Sequence, residues 1–253
     1  MTDTATIDTL REAGARVLGV IAAACGRVGR APAEVTLVAV SKTVAAERLV
    51  AAVEAGIDVL GENRVQEAAA KVGAVPGATW HLVGPLQSNK ARRAVELFGV
   101  IESVDSADLA RRLDRLANER GRAPLPVLLQ VNVDADPAKA GFLPDALDAA
   151  LPELLDLPNL RVDGLMTIGR QVDSAEEARP TFRELRDLSS RLRARHASLG
   201  PVLSMGMTDD YPVAVEEGAT IVRVGRAIFG ERPHRHDDGV EHVHGTGDSH
   251  GRG

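Results

Sequence analysis

A chain of 253 residues with 44% hydrophobic residues can bury a full core, and it could form one barrel-sized domain as readily as two small ones. The net charge of −6 and the aromatic content of 2% argue against nucleic-acid binding. The chain has no excess of basic residues to bind phosphates and few aromatic rings on which bases could stack. No apolar run approaches the ~20 residues that span a bilayer. The N-terminus lacks the basic-then-apolar order of a signal peptide, so we expect a soluble, cytoplasmic protein. The single cysteine, Cys25, excludes an internal disulfide and is expected to pack in a helix interface.

After a predicted amphipathic helix at residues 4–25, short apolar strands alternate with helical patterns. We predict strands at residues 36–42, 57–60, 79–83, 100–103, 126–132, 160–166, 202–205 and 220–224. We predict the following helices at residues 44–56, 63–72, 88–98, 106–120, 144–156, 174–196, 209–217 and 226–229. Eight β-then-α units fit a closed (β/α)₈ barrel better than an open doubly wound sheet. The sequence therefore predicts a single α/β barrel over residues 1–233, with an extra N-terminal helix.

The last part of the chain has a different composition. From Glu231 to Gly253 it is polar and glycine-rich, and it contains five of the seven histidines. Such a segment cannot bury enough apolar surface to order itself, so we predict a disordered tail over residues 234–253. A histidine-rich tract can hold Zn²⁺ or Ni²⁺ loosely, but a solvated tail is the simpler interpretation and we predict no metal site.

The first predicted strand ends on a lysine, Lys42, after a run of mostly apolar residues. Only four of the thirty basic residues are lysines, so this position departs from the chain's preference for arginine. Arginine cannot lose its proton and attack a carbonyl, whereas a lysine desolvated by apolar walls can form a Schiff base. The alternative interpretation is a lysine that reaches from the strand end into solvent.

Other polar residues also fall near the carboxyl ends of the predicted strands, where barrels of this type perform their chemistry. Three of them have ordinary alternatives. Asn63 could cap a helix, His81 could be a hydrogen-bonded core histidine, and Asn132 could belong to a turn. Arg223 is different, because it lies between two valines of an apolar strand and needs an acceptor to offset its desolvation.

Two glycine-containing turns follow the last two predicted strands, at residues 203–210 and 223–230. In (β/α)₈ barrels, the loops after strands 7 and 8, together with the N-terminus of a short helix, commonly hold a phosphate. These residues predict a phosphorylated ligand with a carbonyl group, placed between Lys42 and the two turns. Pyridoxal 5′-phosphate meets that description.

Seven short motifs occur in the order and spacing of a known family. They are Val40–Thr43, Gly61–Glu67, Trp80–Lys90, Gln130–Asn132, Gly164–Met166, Leu203–Met207 and Val222–Gly225. Together they resemble the pyridoxal phosphate homeostasis protein family (YggS/PROSC type) over about residues 34–233. The Trp80–Lys90 and Ser204–Met207 motifs are highly specific.

The resemblance implies a single barrel like the N-terminal domain of alanine racemase, with pyridoxal phosphate held as a Schiff base on Lys42. It also implies that Arg223 faces the pyridine nitrogen. The other implied cofactor-binding residues are Ser204, Gly206 and Gly225 around the phosphate, Asn63, His81 and Met166 along the pocket, and Met207 and Arg226. The family is credited with buffering and delivering the cofactor and with affecting amino-acid and keto-acid balance. The expected partners are therefore pyridoxal phosphate and, transiently, apoenzymes that use it, and the expected state is a monomer.

This sequence departs from the family pattern at two places. Many members have a small hydroxyl residue where this chain has Arg226, so a hydroxyl contact to phosphate would be missing here. Arg226 would then supply a charge, or point away and leave only its backbone amide. The loop at residues 134–141 is a looser match to the family's acidic, lysine-bearing loop, which makes Lys139 a candidate secondary site of transient cofactor attachment.

The sequence also bears on catalysis. A racemase needs two bases on opposite faces of the substrate carbon, but this chain has one tyrosine, Tyr211, and no second domain. An arginine facing the pyridine nitrogen would leave that nitrogen unprotonated and the ring a poor electron sink. We therefore predict a cofactor-binding protein without a defined turnover. The alternatives are a pyridoxal-phosphate-dependent racemase or lyase acting on a small amino acid, a class I aldolase, and a phosphate-binding barrel without Schiff-base chemistry.

Overall fold

The computed structural model describes residues 3–121, 124–170 and 172–230. The strands are Thr36–Val40 (β1), Val59–Glu62 (β2), Thr79–Leu82 (β3), Val100–Val104 (β4), Leu125–Gln130 (β5), Leu160–Met166 (β6), Val202–Ser204 (β7) and Ile221–Val224 (β8). The α-helices are Thr4–Arg27 (α1), Ala46–Glu54 (α2), Val65–Lys71 (α3), Ala91–Leu97 (α4), Ala107–Glu119 (α5), Pro144–Leu155 (α6), Arg179–Arg195 (α7), Tyr211–Glu216 (α8) and Arg226–Phe229 (α9). Short 3₁₀ helices occur at Pro32–Glu34, Val72–Ala74, Ser88–Lys90 and Ala175–Ala178.

Within the described residues, all eight strands are parallel, pair in chain order and close into a barrel through β1 and β8. This arrangement confirms the predicted (β/α)₈ barrel. Each strand has an outward face that packs against helices and an inward face that fills the barrel, as period-two side-chain alternation requires. Leu60 and Leu82 belong to the large core between strands and helices. Val38, Leu128 and Met166 belong to a smaller cluster inside the barrel.

The N-terminal helix α1 is capped by Asp3, whose Oδ1 accepts from the Ala5 amide at 3.3 Å. Its apolar stripe, which includes Val17 and Ile21, is buried, and the helix packs against α2, α8 and α9. Cys25 is a free, fully buried thiol in this interface, which confirms its predicted packing role. The helix therefore covers the outside of the seam where the first and last β/α units meet.

Two strand boundaries differ from prediction in ways that affect the site. The first strand ends at Val40 rather than at residue 42, because a turn begins at Ser41, whose carbonyl accepts from the Val44 amide at 3.0 Å. The predicted strand at 57–60 is Val59–Glu62, since the left-handed Gly56 ends the preceding helix and Ile57 packs against α1. Most other boundaries agree within two residues, but 3₁₀ turns replace the predicted starts of α4 and α7.

The predicted histidine-rich tail at residues 234–253 lies outside the described residues, as does the predicted end of the barrel at residue 233. In the part of the chain that the structure describes, no helix combines the length and apolarity needed to cross a membrane. The same residues contain no group of three or more side chains that could bind a metal ion.

Candidate functional site

Strand register brings the candidate residues of the first two strands together at the carboxyl edge of the barrel. Val40 of β1 pairs with Gly61 of β2, and the chain continues two residues beyond each to Lys42 and Asn63. Lys42 is half-buried in the turn that follows β1. On the other side of β1, the carbonyl oxygen of Val40 lies only 3.1 Å from where a Cβ on Gly225 would stand. The turn that contains Lys42 is therefore next to the turn that follows β8.

The helix-cap alternative for Asn63 is wrong, because Arg64 occupies the N-cap position of α3. Asn63 instead packs by its backbone against Gly84, which follows β3. A Cβ on Gly84 would lie 2.4 Å from the Asn63 carbonyl oxygen, so only glycine allows this approach. The segments after β2 and β3 are thus in direct contact at the carboxyl edge.

A chain of hydrogen bonds crosses the barrel interior. His81 Nδ1 lies 2.6 Å from Oε1 of Glu102, and the Ser204 hydroxyl donates to Oε2 of the same carboxylate at 2.5 Å. Arg223 donates from Nη1 to the Ser204 hydroxyl oxygen at 2.5 Å and from Nη2 to the carbonyl oxygen of Thr167 at 2.7 Å. We call His81, Glu102, Ser204 and Arg223 the interior cluster. Its four side chains come from β3, β4, β7 and β8, and all four are buried.

This cluster confirms two inferences from sequence. Arg223 has the acceptors that its burial required, namely Ser204 and Thr167, with the Glu102 carboxylate one hydrogen bond further away. His81 is a hydrogen-bonded core histidine, and its ring lies on the inward face of β3, at the end of the cluster away from Arg223. Met166 is fully buried in the apolar cluster inside the barrel.

The charges of the interior cluster stabilise one another. Burial raises the pKa of the Glu102 carboxyl, but the hydrogen bond and charge of His81, with Arg223 and Ser204, outweigh burial and lower it overall. Burial lowers the pKa of Arg223, while the charges of Glu102 and Asp210 act in the opposite direction. Burial also raises the pKa of Asp210, against the Met207 amide and Arg223. The cluster therefore contains a buried carboxylate and a buried guanidinium bridged by one hydroxyl.

The turn after β7 depends on a glycine. Gly206 has a φ of +90°, and a Cβ there would lie 2.5 Å from the Cβ of Ala214 and 2.9 Å from the Cα of Tyr211. Asp210 Oδ1 closes the turn by accepting from the Met207 amide at 2.6 Å. Because residue 206 has no side chain, α8 can pack directly on the turn. Met207 itself is 40% exposed at the rim.

The turn after β8 is tied to the one after β7, because the Arg223 amide donates to the Gly206 carbonyl oxygen at 3.0 Å. Gly225 then occupies the N-cap of the four-residue helix α9. Arg226 begins this helix, and its guanidinium forms an ion pair with the carboxylate of Asp209. Both side chains are well exposed, so the Arg226 charge is directed to the surface and is already paired.

Two other predicted polar residues organise a loop instead of joining the cluster. Gln130 donates to the carbonyl oxygen of Ala140 at 2.9 Å, and Asn132 donates to the carbonyl oxygens of Asp136 and Lys139 at 2.8 and 3.2 Å. The alternative interpretation of Asn132 as a turn residue is therefore confirmed. Lys139 Nζ lies 3.6 Å from the Asp136 carboxylate within this loop, and its role in cofactor attachment stays a prediction.

The sequence interpretation missed three charged residues that the structure places beside the candidate site. Glu102 lies in β4 and joins His81 to Ser204. Glu62 and Lys71 form an ion pair at 2.6 Å behind the Lys42 turn. The sequence did contain a signal for Glu102. A carboxylate between Ile101 and Ser103 in an apolar strand is desolvated, so, like Arg223, it needs a polar or charged partner.

Comparisons with known proteins agree with this fold. The family described as alanine racemase, N-terminal domain, matches residues 23–233. The pyridoxal phosphate homeostasis protein of Aquifex aeolicus is 41% identical over 219 residues, covering 86% of this chain and 96% of that protein. The protein of the same name from Synechocystis sp. is 42% identical over 204 residues, covering 79% and 93%.

Among solved structures, PipY from Synechococcus elongatus PCC7942 with pyridoxal phosphate bound has 45% sequence identity and a TM-score of 0.74. The match covers 83% of this chain and all of PipY. The family match at residues 23–233 contains all eight strands of the barrel and the strand ends at which the candidate residues lie.

Proposed function

This chain belongs to the pyridoxal phosphate homeostasis protein family, and we propose that it binds pyridoxal 5′-phosphate as a Schiff base on Lys42. We propose further that it stores and delivers the cofactor without a defined turnover, and so contributes to amino-acid and keto-acid balance. The observation that supports this most directly is the 45% identity to PipY, a protein solved with pyridoxal phosphate bound, over the whole of that chain.

The residues present fit this cofactor. When bound, pyridoxal phosphate supplies an aldehyde, which condenses with an amine and releases water, and a phosphate group. Lys42 follows the carboxyl end of β1, and Gly225 is beside this turn after β8. The turns at Gly206 and Gly225 are the segments that we propose to receive the phosphate, as in other anion sites built on glycine turns.

The interior cluster supports binding rather than turnover. Arg223 is the residue we propose to face the pyridine nitrogen, and its guanidinium is already fixed by Ser204 and Thr167. A protonated arginine can only donate a hydrogen bond, so it keeps that nitrogen unprotonated and limits carbanion stabilisation on the ring. Tyr211 is buried and its pKa is raised by burial, which makes it a poor second base for a racemase.

The remaining pocket assignments are also proposals. Asn63, His81 and Met166 would line the cofactor, and Ser204 with the two glycines would lie near its phosphate. The single hydroxyl proton of Ser204 is donated to Glu102, so this hydroxyl could donate to a phosphate only by turning away from the carboxylate. Arg226 is engaged by Asp209, which supports the alternative in which it contributes its backbone amide rather than its charge.

The test is an ultraviolet–visible spectrum after adding pyridoxal phosphate and removing the excess, run beside Lys42→Ala. We expect a visible band in the wild type that borohydride abolishes, with the added mass on the Lys42 peptide and none in Lys42→Ala. The same band in the variant would overturn the assignment to Lys42. Mapping Lys42→Ala after reduction also tests Lys139, because a modified Lys139 peptide is expected only if the secondary site exists.

Two further measurements separate storage from catalysis. Loaded protein mixed with a pyridoxal-phosphate-dependent apoenzyme should restore that enzyme's activity, while free cofactor is trapped by a scavenger. Incubation of loaded protein with alanine or serine in deuterated water should leave the α-hydrogen in place. Rapid exchange at that position would favour the racemase or lyase alternative. Sedimentation equilibrium tests the proposed monomer.

A further inference from the structure

The turn that contains Lys42 is held from behind by helix α3. The Ser41 carbonyl oxygen accepts from the Val44 amide at 3.0 Å, which closes the turn, and also from Nζ of Lys71 at 3.0 Å. The Thr43 amide donates to Glu67 at 3.4 Å. Lys71 and Glu67 are four residues apart on α3, so one face of the helix contacts the turn on both sides of Lys42.

A buried carboxylate anchors this arrangement. Oε1 of Glu62 accepts from the Ser41 hydroxyl at 2.8 Å and from Nζ of Lys71 at 2.6 Å. We call Ser41, Glu62 and Lys71 the outer cluster, because it lies between the strands and α3. Glu62 is fully buried, and its Oε2 has no hydrogen-bond partner among the described residues. A carboxylate in that position depends on Lys71, because an uncompensated buried charge is strongly destabilising.

The backbone beside Lys42 is strained. Thr43 has a φ of +66°, which places a β-branched residue in the left-handed region. Such a conformation is unfavourable for a residue with a branched Cβ and persists only where the surrounding contacts fix it. The contacts from Lys71 and Glu67 to the residues on either side of Lys42 are of this kind.

We infer that Lys71 and Glu62 are positioning residues for Lys42. They fix the turn so that the Lys42 amine is presented at a constant place on the carboxyl edge, next to the turn after β8. The two lysines thus have different roles, since the Lys71 ammonium is occupied by Glu62 and by the Ser41 carbonyl. This inference rests on the proposed attachment of pyridoxal phosphate to Lys42. It adds that the rate of attachment depends on residues that do not touch the cofactor.

The test compares two ligands. Pyridoxal phosphate needs both the pocket and the amine, whereas pyridoxine 5′-phosphate has an alcohol in place of the aldehyde and reports the pocket alone. In Lys71→Met we expect covalent attachment to slow about tenfold or more, because misplacing a reacting group by about 1 Å costs up to a hundredfold. We expect the affinity for pyridoxine phosphate to change less than about twofold, since the pocket is intact. Lys90→Met, at the end of the 3₁₀ helix before α4, is the matched control and should resemble the wild type in both assays.

The possible results distinguish a failure of the proposed function from a failure of the positioning role. If the wild type does not attach pyridoxal phosphate, the proposed function fails first. If the wild type and Lys71→Met attach it equally fast, only the positioning role is wrong. An equal loss for both ligands would mean that Lys71 supports the pocket as a whole, which also overturns the inference. Should Lys71→Met not fold, Glu67→Ala removes the support of Thr43 from a partly exposed position, and we expect a slower attachment with unchanged pyridoxine phosphate affinity.

Discussion

Two buried clusters of polar side chains support the carboxyl edge of the barrel, and they assemble over different distances along the chain. The outer cluster joins residues at most 30 positions apart, in the turn after β1, in β2 and in α3. The interior cluster joins Glu102 to Ser204, 102 positions later, and then to Arg223. The outer cluster can form within the first two β/α units. The interior cluster requires the closed barrel, so the stability that its contacts contribute depends on the whole fold.

The largest effect should come from breaking the interior cluster at its cation. Arg223→Met leaves Glu102 buried with His81 as its only charged partner among the described residues, and we expect the free energy of unfolding to fall by about 3–5 kcal/mol. Urea denaturation measures this loss. The double variant Arg223→Met/Glu102→Gln should recover part of it, because the uncompensated carboxylate is gone. If the double variant is no more stable than Arg223→Met, the two charges do not support each other.

The next effect concerns the turn that connects the interior cluster to α8. Gly206→Ala forces a Cβ into a left-handed residue and against Ala214, so we expect a loss of about 2–3 kcal/mol. Gly19→Ala is the matched control, since Gly19 is within α1 and has nothing within 4 Å of its missing Cβ. That variant should gain about 0.5–1 kcal/mol from helix propensity. Equal melting temperatures for the two variants would contradict the proposed strain.

The pH dependence of stability gives a finer comparison within the interior region. The folded pKa of Glu102 is lowered, so its contribution to stability is present at neutral pH and is lost as the pH falls through that folded value. The folded pKa of Asp210 is raised, so its contribution is present in acid and is lost as the pH rises through its folded value. Urea titrations from about pH 3 to pH 7 should show a flatter acid limb for Glu102→Gln and a steeper one for Asp210→Asn. Parallel curves for all three proteins would rule out both assignments.

The smallest effect is expected at the rim. Arg226→Thr removes an exposed ion pair with Asp209, and such pairs contribute less than about 1 kcal/mol. The substitution also introduces the hydroxyl that the family motif often has, so the affinity for pyridoxine 5′-phosphate should stay equal or rise modestly. Isothermal titration calorimetry with Arg226→Ala as the control separates the hydroxyl from the loss of charge. A severalfold weaker affinity in both variants would show that the guanidinium binds the phosphate.

The same two clusters explain what the sequence could and could not predict. Arg223 and the barrel itself were predictable, because a charge inside an apolar strand and eight alternating β/α units are local signals. Glu102 gave the same kind of signal but had no obvious partner, since Ser204 lies 102 positions away and the pairing exists only in three dimensions. The predicted strand ended at residue 60, so Glu62 was placed in the segment after the strand. A strand that continues to residue 62 turns this carboxylate toward α3 and Lys71.

The pairing of β1 with β8 has a consequence for how the protein is made. Lys42 emerges from the ribosome before Arg223 and Gly225, which belong to β8 and to the turn after it. A ligand that needs both sides of this seam cannot be retained by a nascent chain, even when the local unit around Lys42 has already folded. If Lys42 holds the proposed cofactor, loading therefore follows the synthesis of β8, and a bound cofactor would mark chains whose barrel has closed.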